Sequence, residues 1–149
     1  MYRTILIPTD GSATSELAVD QGLELARLMR AEVTFLHVLE NPLTSGYATP
    51  ETLPYSAQLY QDLKASAAEI LQRATDKAAK AGVTAKVSLV ENRDPVQAIV
   101  DASKSFDAVV MGTHGRRGFN RWMFGSVAEG ALRRSEKPFL MIRGGSDED

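Results

Sequence analysis

The stretch "DAVVMGTHGRRGFNRWMFGSVAEG", residues 107–130, decides the fold of this chain. Its first part, "DAVVMG" over 107–112, is a continuous apolar run, which predicts a strand buried on both faces. A loop rich in glycine follows, and the "GSVAE" that ends it predicts the start of a helix. A buried strand that leads through such a loop into a helix is typical of a parallel α/β sheet. We therefore expect a ligand site beyond the end of this strand.

The rest of the chain alternates between strand and helix patterns. Short apolar runs predict strands at 4–8, 32–39, 85–91, 107–112 and 138–142. Helical spacing predicts helices at 13–30, 56–81 and 127–135, and Asp94-Pro95 is a helix-start signature for another that runs to about Lys104. This order predicts an α/β fold: a single-domain, open five-stranded parallel sheet, helices on both faces, strand order 3-2-1-4-5 and a Rossmann-like architecture.

Finer features of these elements are also predicted. Ser12 is expected to cap the first helix and Gly82 to end the second. Three prolines and no periodicity over residues 41–57 indicate a long loop. The apolar stripes that should face the sheet are Leu17, Ala18, Leu25, Leu28 and Met29 in the first helix, and Leu59, Leu63, Ala67, Ile70, Leu71, Ala74 and Ala78 in the second.

Composition excludes several classes of protein. The 149 residues suit one domain, and the net charge of −2 gives no basic field for nucleic acid or for an anionic membrane. With no cysteine and only two histidines, thiolate chemistry and a histidine metal cluster are excluded. The apolar run in "MYRTILIPTDGS" is too short for a signal peptide, and no segment reaches membrane-spanning length, so neither a signal peptide nor membrane insertion is expected. We expect a soluble, cytoplasmic domain over 1–143 with an acidic, frayed tail over 144–149.

The candidate site lies where the winding of the sheet reverses, between the first and fourth strands. The first strand ends in Pro8-Thr9-Asp10-Gly11, and the fourth ends at the glycine loop. Ser126 and Glu129 have the spacing of a capping box, which marks a helix N-terminus that favours an anion. Gly115 and Gly125 allow close backbone approach to a phosphate. Asp10 faces them as an acceptor for a ribose hydroxyl or a ligand for Mg²⁺.

Each of these features also has a purely structural explanation. The glycine loop could be a solvated turn, Ser126 only a cap, Asp10 only a turn residue and His114 a loop histidine. His37, on a buried strand, fits a hydrogen-bonded core residue better than a ligand. Trp122 and Phe119 fit packing of the loop against the domain. The basic and aromatic residues of the loop also suggest a single-strand nucleic-acid patch, which the acidic net charge disfavours.

The spacing Gly112-x2-Gly115-x9-Gly125-Ser126 resembles the nucleotide-binding signature of the universal stress protein family, G-x2-G-x9-G-[S/T]. "ILIPTDGS" at 5–12, "FLHV" at 35–38 and "GSVAEGALRRSEKPFLMIR" at 125–143 are similar to that family in order and spacing. The complete glycine signature resembles the ATP-binding branch. Two features are less typical of the family. Gly118 inside the spacer would loosen the glycine loop and weaken binding, and the proline-rich loop at 41–57 would either cover the site or contact a partner.

The resemblance implies ATP, with Mg²⁺, as the ligand and assigns roles to single residues. For the adenine and ribose side it implies Pro8, Thr9, Asp10 and, against the adenine, Val38. For the ribose and phosphate side it implies Met111, Gly112, His114 and Gly115. For the phosphates at the helix start it implies Gly125, Ser126 and Val127.

A homodimer is expected through the last strand, as the family resemblance implies. The sequence suggests it independently, because Phe139, Leu140, Met141 and Ile142 are apolar on both faces of a strand at the sheet edge. Such an edge is a liability unless another chain pairs with it.

Three classes of function remain open. The first is a regulatory stress-response protein whose nucleotide occupancy is read by an unidentified partner protein. The second is a slow ATPase or phosphotransferase, which lacks a G-x-x-x-x-G-K-[ST] loop and has only His114 near as a base. The third is a nucleotide-free adaptor. A phosphoacceptor receiver domain is set aside, because it expects paired acids after the first strand. We expect the regulator, with slow hydrolysis at most.

Overall fold

The computed structural model describes residues 2–41, 50, 51, 53–114 and 125–144. Within these ranges five strands alternate with four helices, as the sequence predicted. The elements are β1 (Thr4–Pro8), α1 (Ala13–Met29), β2 (Glu32–Leu39), α2 (Leu53–Ala81), β3 (Ala85–Glu91), α3 (Pro95–Ser103), β4 (Ala108–Gly112), α4 (Ser126–Arg134) and β5 (Phe139–Ile142).

The five strands form one parallel sheet in the order β3-β2-β1-β4-β5, which confirms the predicted topology. β1 is central, and its pairing with β2 continues to Pro8 opposite Leu36. The paired residues of β1 and β4 end earlier, at Leu6 opposite Val109. The carboxyl ends of β1 and β4 are therefore not paired, and this opening lies at the predicted reversal point of the sheet.

Helices cover both faces of the sheet, because alternate residues of each apolar strand point to opposite sides. Ile7, Phe35 and Val110 pack with α1 and α2, whereas Leu6 and Leu36 pack with α3 and α4. The continuous apolar runs thus belong to strands buried on both faces, as predicted. In the described ranges no helix combines the length and apolar character needed to cross a membrane.

The predicted inward stripe of α1 is partly wrong. Leu28 is 67% exposed, and the buried face instead runs through Ala18, Val19, Gly22, Leu23 and Ala26. Small residues dominate this face because α1 lies very close to β1. A Cβ atom at Gly22 would stand 2.5 Å from Ile7 Cδ1. A search for large apolar residues overlooks a face that is built for close approach.

The ends of the helices follow the predicted signals. Ser12 caps α1 by accepting from the Ser15 N–H at 3.3 Å, and Asp94 caps α3 by accepting from the Gln97 N–H at 3.0 Å. Gly82 follows α2 with φ of +71°, a left-handed conformation that glycine adopts without strain.

α2 differs from the prediction at its start, which lies at Leu53 rather than near Ser56. Its 29 residues are about 43 Å long, whereas the seven residues of β3 span roughly 23 Å. The Tyr60 hydroxyl donates to Glu91 Oε1 at 2.7 Å, and Glu91 is the last residue of β3. The turns before Tyr60 therefore extend past the sheet, so Leu59 is 46% exposed although the stripe predicted it inward.

Candidate functional site

The turn after β1 is fixed by the backbone and side chain of Thr9. Its N–H donates to the Leu36 carbonyl at 2.9 Å and so continues the pairing of β1 with β2 by one residue. Its hydroxyl lies 3.1 Å from the Ser15 hydroxyl, which donates to the Ser12 carbonyl at 3.0 Å. Because Ser15 uses its hydrogen there, Thr9 is the donor between them. The buried Thr9 side chain therefore holds the turn against α1 and does not project into the opening.

Asp10 lies half-buried at the lip of the opening. Its Oδ1 accepts from the Ser12 N–H at 2.9 Å, and Gly11 next to it has φ of +80°. This is an Asx turn, which fixes the direction of the carboxylate. Asp10 thus has the structural role of a turn residue and also stands at the edge of the opening.

The end of β2 contributes His37 and Val38. His37 Nδ1 lies 2.9 Å from the Thr9 carbonyl oxygen, which confirms the prediction of a hydrogen-bonded histidine. The Val38 side chain packs with the α3 and α4 side of the core. Alternate residues of β2 bond to opposite neighbours: the Leu36 carbonyl accepts from Thr9 after β1, and the Leu39 carbonyl accepts from Asn92 after β3. Val38 alternates with Leu39, so its backbone faces β1. The peptide groups of Val38 therefore face the end of β1.

Thr113 joins the end of β4 to the start of α4. Its N–H donates to the Ile142 carbonyl at 2.9 Å, and its carbonyl accepts from the Gly125 N–H at 2.7 Å. Its hydroxyl lies 2.9 Å from His114 Nδ1. The first and last glycines of the signature are consequently brought to the same end of the sheet. Gly115, between them, lies outside the described residues.

Gly112 and Met111 are structural in this fold. A Cβ atom at Gly112 would lie 2.8 Å from Thr14 Cγ2 and 3.2 Å from the Thr14 backbone, so glycine is needed for α1 to pack against β4. The Met111 side chain is buried in the α3 and α4 side of the core. Each can present only backbone atoms to a ligand in the opening.

The capping-box prediction at α4 is wrong. The N-cap is Gly125, which supplies no side-chain hydrogen bond, and Ser126 is the exposed first residue of the helix. Ser126 has helical backbone geometry and so cannot act as the cap, while Glu129 pairs with Arg133 at 3.0 Å. In contrast to α1 and α3, the N-cap residue of α4 therefore supplies no side-chain acceptor to the first turn of its helix. Such a helix start is suited to an anionic ligand.

The opening is bordered by four segments from distant parts of the chain. They are Pro8–Ser12 after β1, His37–Val38 in β2, Gly112–His114 after β4, and Gly125–Val127 at the start of α4. Within the described ranges no group of three or more His, Asp or Glu residues could hold a metal, so Asp10, the metal ligand predicted from the sequence, is not part of such a group. Sequence reasoning missed Ser15 and Thr113, although each is a small hydroxyl residue beside a predicted strand or helix end.

The fold is that of a single-domain α/β protein with an open parallel sheet, and its candidate site lies at the topological reversal point of that sheet. The chain matches the universal stress protein family over residues 1–143. It is 30% identical over 151 residues to universal stress protein YxiE of Bacillus subtilis (strain 168), which covers 96% of this chain and 100% of YxiE. The chain belongs to the universal stress protein family.

Two solved structures show the same fold with a nucleotide named as ligand. A universal stress protein in complex with cAMP has a TM-score of 0.71 and 27% identity, covering 97% of this chain and 99% of its own. The universal stress protein from Archaeoglobus fulgidus in complex with dAMP has a TM-score of 0.69 and 25% identity, covering 95% and 98%.

Proposed function

We propose that this protein binds an adenine nucleotide, ATP with Mg²⁺ in the cell, in the opening between β1 and β4. The observation that carries the proposal is the 2.7 Å bond from the Gly125 N–H to the Thr113 carbonyl. It holds the start of α4, which has no side-chain cap, beside the end of β4 and across the opening from Asp10. Both related structures named above contain an adenine nucleotide, which supports this choice of ligand.

Each border of the opening has a role in this proposal. The adenine edge meets the Val38 backbone, whose N–H and carbonyl can match the acceptor and donor of the base, next to Pro8 and Thr9. Asp10 accepts from a ribose hydroxyl. The phosphates lie at the first N–H groups of α4, from Ser126 and Val127, and Gly125, whose own N–H is bonded to the Thr113 carbonyl, leaves room for their approach. His114 and the backbone of Met111 and Gly112 border the ribose and phosphates, together with Gly115.

Asp10 is the residue that would bind Mg²⁺. This ion usually keeps several waters and binds through one or two carboxylates plus substrate phosphates. A single carboxylate opposite a phosphate position fits that pattern without a larger cluster of acids. The ion would shield the phosphate charge in the crevice.

We further propose that the protein acts as a regulatory homodimer through β5. This strand forms one edge of the sheet, and its Leu140 side chain is 45% exposed. An apolar edge strand favours pairing with a second chain. In this role nucleotide occupancy changes the dimer surface that a partner protein contacts. Cytoplasmic location and hydrolysis that is slow at most stay predictions of the sequence.

The proposal is tested with Gly125→Val, measured by isothermal titration with ATP and Mg²⁺. Gly125 has φ of −63° and ψ of 154°, which any residue can adopt, so the fold should be retained. The branched side chain fills the approach to α4, and we expect a loss of at least roughly tenfold in affinity, about 1.4 kcal/mol. The matched control is Ala79→Val, which adds similar bulk on the exposed side of α2.

A folded Gly125→Val protein with wild-type affinity would contradict the phosphate position. Native mass spectrometry of the wild-type protein separates the other functions. A dimer that stays empty at millimolar ATP would favour the adaptor, and conversion of bound ATP to ADP within minutes would favour the enzyme.

A further inference from the structure

The hydrogen bond between His37 and Thr9 takes the place of a bond of the sheet. In a parallel pair of strands, a residue bonds to its partner strand through both its N–H and its carbonyl. If its N–H donates to the carbonyl of one partner residue, its carbonyl accepts from the N–H of the partner residue two positions later. Because the Thr9 N–H donates to the Leu36 carbonyl, the Thr9 carbonyl should accept from the Val38 N–H. That bond is absent from the backbone hydrogen bonds of the described residues. The Thr9 carbonyl instead lies 2.9 Å from His37 Nδ1.

The chemistry of this contact fixes the proton on the ring. A carbonyl oxygen can only accept, so Nδ1 of His37 must carry a hydrogen and donate it. The donor therefore comes from a side chain that can be changed without altering the backbone of β2. Thr9 is also held on its other side, where its hydroxyl contacts Ser15 at 3.1 Å. These contacts together fix the direction of the peptide that leads into Asp10.

We propose that His37 is a positioning residue of the nucleotide site. By binding the Thr9 carbonyl, it directs that oxygen toward the imidazole and away from the Val38 N–H. The N–H of Val38 is thereby left for the adenine edge of the ligand, and Asp10 is held at the lip of the crevice. This inference rests on the proposed function, because it assigns to the Val38 backbone the recognition of the base.

His37 could instead serve the stability of β1 and β2 alone, and a set of variants separates the two roles. Asn places its side-chain N–H near the position of Nδ1, so His37→Asn keeps the donor. Gln places its N–H near the position of Nε2, so His37→Gln removes the donor from Thr9 while keeping an amide of similar polarity. His37→Ala removes the side chain altogether.

The experiment uses the full chain and two readouts. The first is the affinity for AMP, titrated without Mg²⁺ so that the base and ribose contacts dominate. The second is amide hydrogen exchange at Val38 in the nucleotide-free protein, which reports whether its N–H bonds to Thr9. Thermal unfolding of each variant confirms that it is folded.

We expect AMP affinity to fall by roughly tenfold in His37→Ala and His37→Gln and to stay within about threefold in His37→Asn. Exchange at Val38 should slow by roughly tenfold in the first two variants and remain as in wild type in the third. Wild-type affinity in folded His37→Ala would overturn the proposal, and so would a loss that His37→Asn does not restore.

Failure of the proposed function is seen separately. If the wild-type protein binds neither AMP nor ATP, the function fails, and the exchange data alone decide the role of His37. Slower exchange in His37→Ala and His37→Gln but not in His37→Asn would then support its control of the Val38 N–H. Unchanged exchange of the Val38 amide in all three variants would overturn the positioning role of His37.

Discussion

At the scale of single residues, Asp10 has a position that fits two different tasks. Its Oδ1 already accepts from the Ser12 N–H at 2.9 Å, so the carboxylate is fixed before any ligand arrives. Accepting from a ribose hydroxyl needs an oxygen but no charge. Holding Mg²⁺ beside phosphates needs the negative charge. The two tasks can therefore be separated by a substitution that removes the charge and keeps the oxygen.

Asp10→Asn is such a substitution. It can keep the bond to the Ser12 N–H and the acceptor for the ribose, so we expect AMP affinity to stay within about threefold of wild type. The gain in ATP affinity on adding Mg²⁺ should shrink, because the charge is lost. Titration with and without MgCl₂ measures both effects. Asp10→Ala is the comparison, and it should lower both the AMP affinity and the gain in ATP affinity from Mg²⁺. If neither variant alters affinity or Mg²⁺ dependence, Asp10 is a turn residue only.

The sequence predicted the positions of the strand ends better than it predicted where the side chains at those ends point. Thr9, Met111 and Gly112 all lie at the predicted ends of strands, yet none of them directs a side chain into the opening. The Thr9 hydroxyl contacts Ser15, Met111 is buried in the core, and Gly112 accommodates Thr14. These directions depend on which side of a strand faces which helix, and a linear motif does not contain that information.

At the scale of elements, Asp107 joins the starts of β1 and β4. Its Oδ2 accepts from the Arg3 N–H at 2.7 Å and from the Thr4 N–H at 3.1 Å. Its own N–H donates to the Thr4 carbonyl at 3.0 Å. The N–H of Arg3, and after it that of Thr4, lower the pKa of the Asp107 carboxyl because they stabilise its charged form.

This lowered pKa makes the stability of the fold depend on pH. The Asp107 pKa is lower in the folded chain than in the unfolded chain, where it is about 3.9. Its contribution is therefore complete above that value and is lost as the pH falls through the folded pKa. We expect Asp107→Asn to lower the free energy of unfolding at pH 7 and to differ less from wild type at pH 3. Urea unfolding at both values measures this, with Asp62→Asn on the exposed side of α2 as the control. An equal difference at both pH values would rule out the charge as the cause.

The number, order and approximate bounds of the elements could be predicted, because each apolar run and each cap is a local signal. What could not be predicted arises from contacts between elements. α1 turns small residues toward the sheet because it packs closely on Ile7, and α2 begins earlier because it extends beyond β3. The sequence from Ser126 to Glu129 matches the S-x-x-E pattern of a capping box, but the helix begins one residue earlier than that pattern requires, with Gly125 as its N-cap.

At the scale of the whole molecule, the two edges of the sheet differ in the role we assign to them. β3 and β5 are both edge strands, and each has one clearly exposed apolar side chain. Val87 of β3 is 52% exposed and Leu140 of β5 is 45% exposed. Their similar exposure makes them a matched pair for testing which edge joins two chains.

We expect Leu140→Asp to convert the proposed dimer to a monomer, because a charge buried between two paired edges is strongly unfavourable. Val87→Asp should leave the dimer intact. Light scattering after size exclusion gives the mass of each variant. A wild-type monomer, or a dimer that is lost only in Val87→Asp, would contradict assembly through β5.

The crevice that we propose for the nucleotide lies at the ends of β1, β2 and β4, which are the three inner strands of the sheet, so its borders come together only in the folded chain. A nucleotide held there would bind the folded chain and not the unfolded chain, and would therefore stabilise the fold. By mass action, free nucleotide at one hundred times its dissociation constant would add about 2.7 kcal/mol to the unfolding free energy. The lifetime of the protein against proteolysis would then rise and fall with the concentration of free adenine nucleotide in the cell.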